Sequence, residues 1–175
     1  MKRKIDKISP EQAMEILRRL ARSDPEIGNR IEKVAEEMLK DIDSEAICED
    51  VYLVLDGIDV LELWDRSGSS RYGYSAPEDM AVEMMEEELA PFNREVLRYL
   101  EMGMAKEAKL YCMGVLKGIY RYEQESKSEF KDWAVDIPGE CFAHILREWK
   151  KKSGDRNDHR EMDEFIKREC GKWSK

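Results

Sequence analysis

No stretch of the 175-residue chain approaches about eighteen consecutive apolar residues, so a membrane-spanning helix is not expected. The opening MKRKIDKISP is basic but carries no apolar segment, so no secretory signal is expected and the reading is cytoplasmic. CxxC pairs are absent, and the two histidines, His144 and His159, complete no zinc-binding spacing. Cys48, Cys112, Cys141 and Cys170 are widely separated, and nothing indicates an oxidising compartment that would pair them. The contexts LYCMGVL and GECFAHIL read Cys112 and Cys141 as buried free thiols on apolar helix faces. GSS at 68–70 lacks the lysine and spacing of a phosphate-binding loop. No Ser/His or Cys/His partnership is recognisable either, so no catalytic residue, cofactor or metal ligand is assigned.

What is present is a sequence able to fold and well solvated. Its hydrophobic content is 42% and its charged content 39%, with a formal net charge of −9. That sign opposes non-specific attraction to nucleic acid. The charge is uneven: Lys2, Arg3, Lys4 and Lys7 against Asp6 give +3 near the start, and six carboxylates between Glu78 and Glu88 give −6. Both runs read as solvated surfaces. The basic residues of REWKKKSGDR keep a nucleic-acid role as an alternative, provided that they and the N-terminal cations converge on one face.

The punctuation is helical. Ser9 with Gln12 three residues on makes a capping box, and Pro10 fits the first helical position. Asp24-Pro25 repeats the start signal, and Ile27, Ile31, Val34 and Met38 recur at helical spacing, so residues from Ser9 to about Lys40 read as an αα-hairpin. VYLVLDGIDVLELW admits two readings, a helix broken at Asp56-Gly57 or two strands around that turn. The helix is favoured, because a lone hairpin among helices has little sheet to support it. Ser75 and Glu78 suggest another capping box, and Pro91 is expected to divide or kink the helix that follows. Gly114 and Gly118 lie four apart in a helical pattern, which favours a close helix crossing. Ser126 and Glu129 open a further segment, Pro138-Gly139 resets the chain, and REMDEFIKREC forms a short last helix. The whole reads as all-α, an irregular bundle or array of αα-hairpins with about seven helices. The helical domain spans 1–152, and 153–175 supplies a polar break and a C-terminal helix packed on the same domain.

The stretch ELWDRSGSSRYGYSAPED, residues 62–79, gathers the candidate contact residues Trp64, Arg66, Arg71, Tyr72 and Tyr74. Guanidinium forks can meet carboxylate or phosphate oxygens, or they can clamp the loop to acidic helices. Glu83, Glu86 and Glu87 share nearby helical faces and read as a solvated acidic surface. His144, between Phe142 and Ile145, reads as a core-edge histidine, and His159 as ordinary surface. The aromatic residues around Tyr111–Tyr122 and Trp133–Trp149 read as core or interface anchors rather than base-stacking platforms.

From Leu63-Trp64-Asp65-Arg66 through Gly73-Tyr74, Pro77, Pro91-Phe92, Gly103-Met104 and Gly118-Ile119-Tyr120, the chain resembles the helical region of archaeal and bacterial SWIM-zinc-finger-associated proteins. The resemblance covers about residues 10–150 and is strongest over 61–122. It implies a helical interaction or structural module. The CxC pair and CxH-type histidine of the SWIM zinc motif are missing, so neither zinc nor the function attached to it carries over. The expected function is a protein-interaction or structural module whose partner is another protein or a second copy of the chain. A small-ligand binder or hydrolase using the 62–79 loop is the opposing reading, and it requires a pocket holding that loop together with an acid or His144.

Overall fold

The computed structural model describes residues 7–70 and 73–173. Contacts divide the chain into two compact units, Met1–Asp41 and Ile42–Lys175. The first unit consists of α1 (Pro10–Ser23) and α2 (Pro25–Lys40). The expected capping box forms in full: Ser9 Oγ accepts from the Gln12 amide, and the Ser9 amide donates to Gln12 Oε1 at 2.9 Å. Asp24 closes α1 and opens α2, its Oδ1 accepting from the Glu26 amide at 2.8 Å. Both helices begin with proline, where the missing N–H would have had no partner. A Cβ at Gly28 would lie 3.1 Å from the Ala21 carbonyl, so the two helices meet closely beside the link.

The second unit holds α3 (Ser44–Asp56), α4 (Val60–Arg66), β1 (Gly68–Ser70), β2 (Gly73–Ser75), α5 (Pro77–Glu101), α6 (Ala105–Glu125), α7 (Ile137–Lys152) and α8 (Arg156–Glu169). The described residues thus give an all-α protein of eight α-helices, with an antiparallel hairpin of two three-residue strands. Helix α6 is central and packs against α3, α5, α7 and α8. Its Cys112, Val115, Leu116, Ile119 and Tyr122 are fully buried, which is the broad apolar face its sequence spells out. The closest approach is to α3: a Cβ at Gly118 would lie 2.6 Å from Val51 Cβ, and one at Gly114 2.7 Å from the Ser44 carbonyl oxygen. The glycine pair therefore makes the close crossing expected of it. Along the flank of that crossing, Lys117 meets Glu45 at 2.6 Å, Arg121 pairs with Glu49, and the Arg121 guanidinium lies 4.5 Å from the Tyr52 ring centre.

The helical reading of 51–64 holds, with the break at Gly57, which caps α3. Two punctuation marks call for comment. Of the division or kink expected at Pro91, the division does not occur: Pro91 sits inside the single 25-residue α5. Leu89 and Val96, on either side, are both buried, and their packing outweighs the lost amide donor, which costs about 3 kcal/mol in an isolated helix. Ser75 does not cap α5. It is held in the ladder opposite Gly68, and the cap position falls to Ala76, which supplies no side-chain bond.

Candidate functional site

Of the five residues singled out in 62–79, Arg71 and Tyr72 lie outside the described residues. Trp64 and Arg66 come from the last turns of α4, and Tyr74 from β2. Trp64 is half-exposed and meets Trp133 edge to face at 4.7 Å between ring centres. Arg66 is fully engaged. It donates to Glu62 Oε1 from Nη2 at 2.6 Å and to Glu87 Oε2 from Nη1 at 2.7 Å, and its hydrogen bonds to Glu87 and then Glu62 raise its pKa further. The fork therefore ties α4 to α5, which is the clamping use of an arginine. Tyr74 is 70% exposed.

Two cavities border this half of the molecule. A cleft of about 330 Å³ is lined by Arg66 together with Asp59, Glu62, Glu87 and Glu88. Its one guanidinium already faces two of those carboxylates, so it offers no unoccupied cation for an anionic ligand. A larger groove of about 720 Å³ runs between α5 and α7. Val82, Leu89 and Ile145 give it apolar lining, and Glu86, Asn93, Glu140, His144 and Arg147 give it polar lining. Asn93 Oδ1 is a buried acceptor with no donor among the described residues. His144 is thus an exposed groove residue rather than a core-edge one, and it lies in a different cavity from Arg66. The cleft thus sets Arg66 and Glu62 of the 62–79 stretch beside the acids Asp59, Glu87 and Glu88, without His144.

His159, expected on the surface, is half-buried. Its Nε2 lies 2.8 Å from the Ser153 carbonyl oxygen, and its ring lies 5.4 Å from that of Trp149. It staples the start of α8 to the end of α7. All four cysteines are buried and free, and burial pushes the thiol pKa of Cys141 up to about 11 and of Cys170 up to about 12. Among the described residues, no group of three or more His, Cys, Asp or Glu is placed to hold a metal ion, and Glu83, Glu86 and Glu87 are exposed. No helix of the described residues is long and apolar enough to cross a membrane. Of the basic groups that a nucleic-acid surface would need, Lys150 is paired with Asp163 at 2.6 Å, and Lys2, Arg3 and Lys4 lie outside the described residues.

The surface that sequence reasoning missed is on the first unit. The apolar positions of α2 recur at helical spacing, as Ile16, Leu17 and Leu20 do on α1, yet neither helix buries a single residue. Met14, Ile16, Leu17, Leu20, Val34 and Met38 are all exposed, from 40% at Leu20 to 74% at Met38. One signal was available: residues 1–41 contain no Phe, Trp or Tyr, the side chains that bring the largest apolar area to a core. Comparison of the chain with family models, with curated proteins and with solved structures gives no match.

Proposed function

We propose that this chain is a protein-association module whose contact surface is the apolar face of the α1–α2 hairpin. The observation that carries the reading is the six exposed Met, Ile, Leu and Val side chains on two helices that have no buried residue of their own. Together they expose on the order of 500 Å² of surface, in the range of patches that mark interaction sites. The second unit has what the first lacks, a continuous core running from Val51 to Cys170. It serves as the body that carries the contact surface. The resemblance to the helical region of SWIM-zinc-finger-associated proteins points to the same class of function and supplies no residue. Trp64 and Tyr74 remain secondary contact candidates, since Arg66 is committed to Glu62 and Glu87.

A photoreactive benzophenone side chain at Leu17, in the protein produced in cells, tests this directly. Irradiation is expected to give a protein adduct there and none at exposed Glu164. No adduct at Leu17, or equal adducts at both sites, would refute association through this face. The second reading, a small-ligand binder, rests on the α5–α7 groove with its unsatisfied Asn93 acceptor rather than on the 62–79 loop.

A further inference from the structure

We infer that the α5–α7 groove binds a short apolar peptide with free termini, its ammonium at Glu86 and Glu140, its carboxylate at Arg147 and its backbone at the Asn93 carboxamide. This rests on the small-ligand reading of that groove and is independent of the α1–α2 face. Leu89, Cys141 and Ile145 are buried and give the groove an apolar floor. Its volume of about 720 Å³ falls within the roughly 300–1,000 Å³ of ordinary ligand sites. Glu140, His144 and Arg147 stand four and three apart on one ridge of α7, and Glu86 lines the α5 side. The Cys141 thiol marks where the two carboxylates converge: burial raises its pKa, and the charges of Glu86 and Glu140 raise it further. Among the described residues, the side chains of Glu86, Glu140 and Arg147 are exposed and make no hydrogen bond or ion pair. The Asn93 carboxamide makes no hydrogen bond within the protein either.

These groups select the ligand by sign and by length. A purely cationic ligand leaves Arg147 unmatched, and a purely anionic one sets its charge beside two carboxylates. A zwitterion matches both. Glu140 and Arg147 are two helical turns apart, which separates them by about 10 Å along α7. A single amino acid is too short for that span, whereas an extended chain at about 3.3–3.6 Å per residue covers it with three residues. The apolar floor between the charged ends favours aliphatic side chains. Asn93 distinguishes a peptide from any other zwitterion of that length. Its amide oxygen and nitrogen are nearly isosteric, so a half-turn about Cβ–Cγ presents either one to the groove, and a peptide backbone offers both an N–H and a C=O in return.

Isothermal titration calorimetry of the full chain with trileucine is the test, at neutral pH and low salt, with circular dichroism as the control for folding. Wild type is expected to bind with Kd on the order of 10–100 µM. N-acetyl-trileucine and trileucine amide each lack one terminal charge, and each is expected to bind about fivefold more weakly. Glu86→Gln/Glu140→Gln is expected to weaken trileucine about fivefold and to leave the acetylated peptide unchanged. Arg147→Gln is expected to do the same to trileucine and to spare its amide. The zwitterion ω-aminooctanoate has two end charges at a similar spacing and no peptide unit. Asn93→Leu is therefore expected to weaken trileucine about fivefold and to leave ω-aminooctanoate unchanged. No binding of trileucine up to about 1 mM, capped peptides that bind as tightly as the free one, or an equal effect of Asn93→Leu on both zwitterions would each overturn the inference. Binding of ω-aminooctanoate as tight as that of trileucine overturns the peptide assignment and leaves the small-ligand reading of the groove standing.

Discussion

Replacing Gly118 with alanine probes the contact on which the second unit is organised. An added Cβ would stand 2.6 Å from Val51 Cβ and 2.8 Å from the Cys48 carbonyl oxygen. Neither neighbour can rotate aside, since one is backbone and the other is the branch point of a stiff side chain. Alanine is favoured over glycine inside a helix by about 1 kcal/mol. Overpacking a tight core costs about 1–3 kcal/mol, and an obstruction from two unyielding atoms belongs at the upper end. The clash therefore wins, with a net loss of about 2 kcal/mol, or roughly 6–10 °C in Tm for a body of this size. Thermal unfolding followed by circular dichroism checks it, with Gly139→Ala run alongside. A Cβ at Gly139 would meet only the Trp173 ring, at 3.8 Å, so that variant is expected to be neutral or more stable by up to about 1 kcal/mol. A Gly118→Ala protein as stable as wild type would refute the close crossing of α3 and α6.

Lys109, buried in α6, donates to Asp158 at 2.6 Å and to Glu161, joining α6 to α8; burial disfavours its charge, but the two carboxylates outweigh that and raise its pKa. Lys109→Met leaves Asp158 without its cation and is expected to cost about 1–3 kcal/mol at neutral pH, less than a fully buried pair because Glu161 is free to resolvate. Urea unfolding measures it, and a loss under about 0.5 kcal/mol would mean that the pair contributes nothing. The four thiols are expected to resist iodoacetamide at pH 8 in the native protein and to react fully in urea; one native-state adduct, found by mass spectrometry, would contradict their burial. Because the thiols of Cys141 and Cys170 are raised from about 9 to about 11 and about 12, the unfolded chain loses these protons first. Their contribution is complete below about pH 9 and is lost as pH rises through the folded values, so alkaline unfolding should set in over that window.

What could be read from the sequence is what local chemistry decides. Ser9 with Gln12, Asp24 with Pro25 and the break at Gly57 are short-range arrangements, and each appears where the residues place it. The Gly114/Gly118 pair announces a close approach through its spacing alone, although not that α3 is the helix approaching. What the sequence left undecided depended on distant partners. Pro91 has the right chemistry to divide or kink a helix, and the core contacts around Leu89 and Val96 keep α5 undivided. Ser75 has a capping side chain, but strand pairing claims it. Arg66 was legible as a clamp or an anchor, and only the fold brings Glu87 to it across 21 residues. The exposed stripe on α1 and α2 was hardest of all, because periodicity says that a face is apolar and is silent about what covers it. His144 shares that difficulty, since its groove exists only once α5 and α7 are side by side.

The α3–α6 crossing also sets a timetable for synthesis. Its flanking pairs, Lys117 with Glu45 and Arg121 with Glu49, each join residues 72 positions apart. Helix α3 therefore leaves the ribosome about sixty residues before the glycines that receive it, an interval of roughly 3–12 s at about 5–20 residues per second. Throughout that interval Cys48, Val51 and Leu55, sealed in the finished protein, form an uncovered strip. It is a hydrophobic strip of the kind chaperones cover, and Cys48 is its reporter. Ribosome-bound chains in which α6 has not yet emerged are expected to alkylate at Cys48, and longer ones to be protected; protection in both would show that some earlier contact shelters α3.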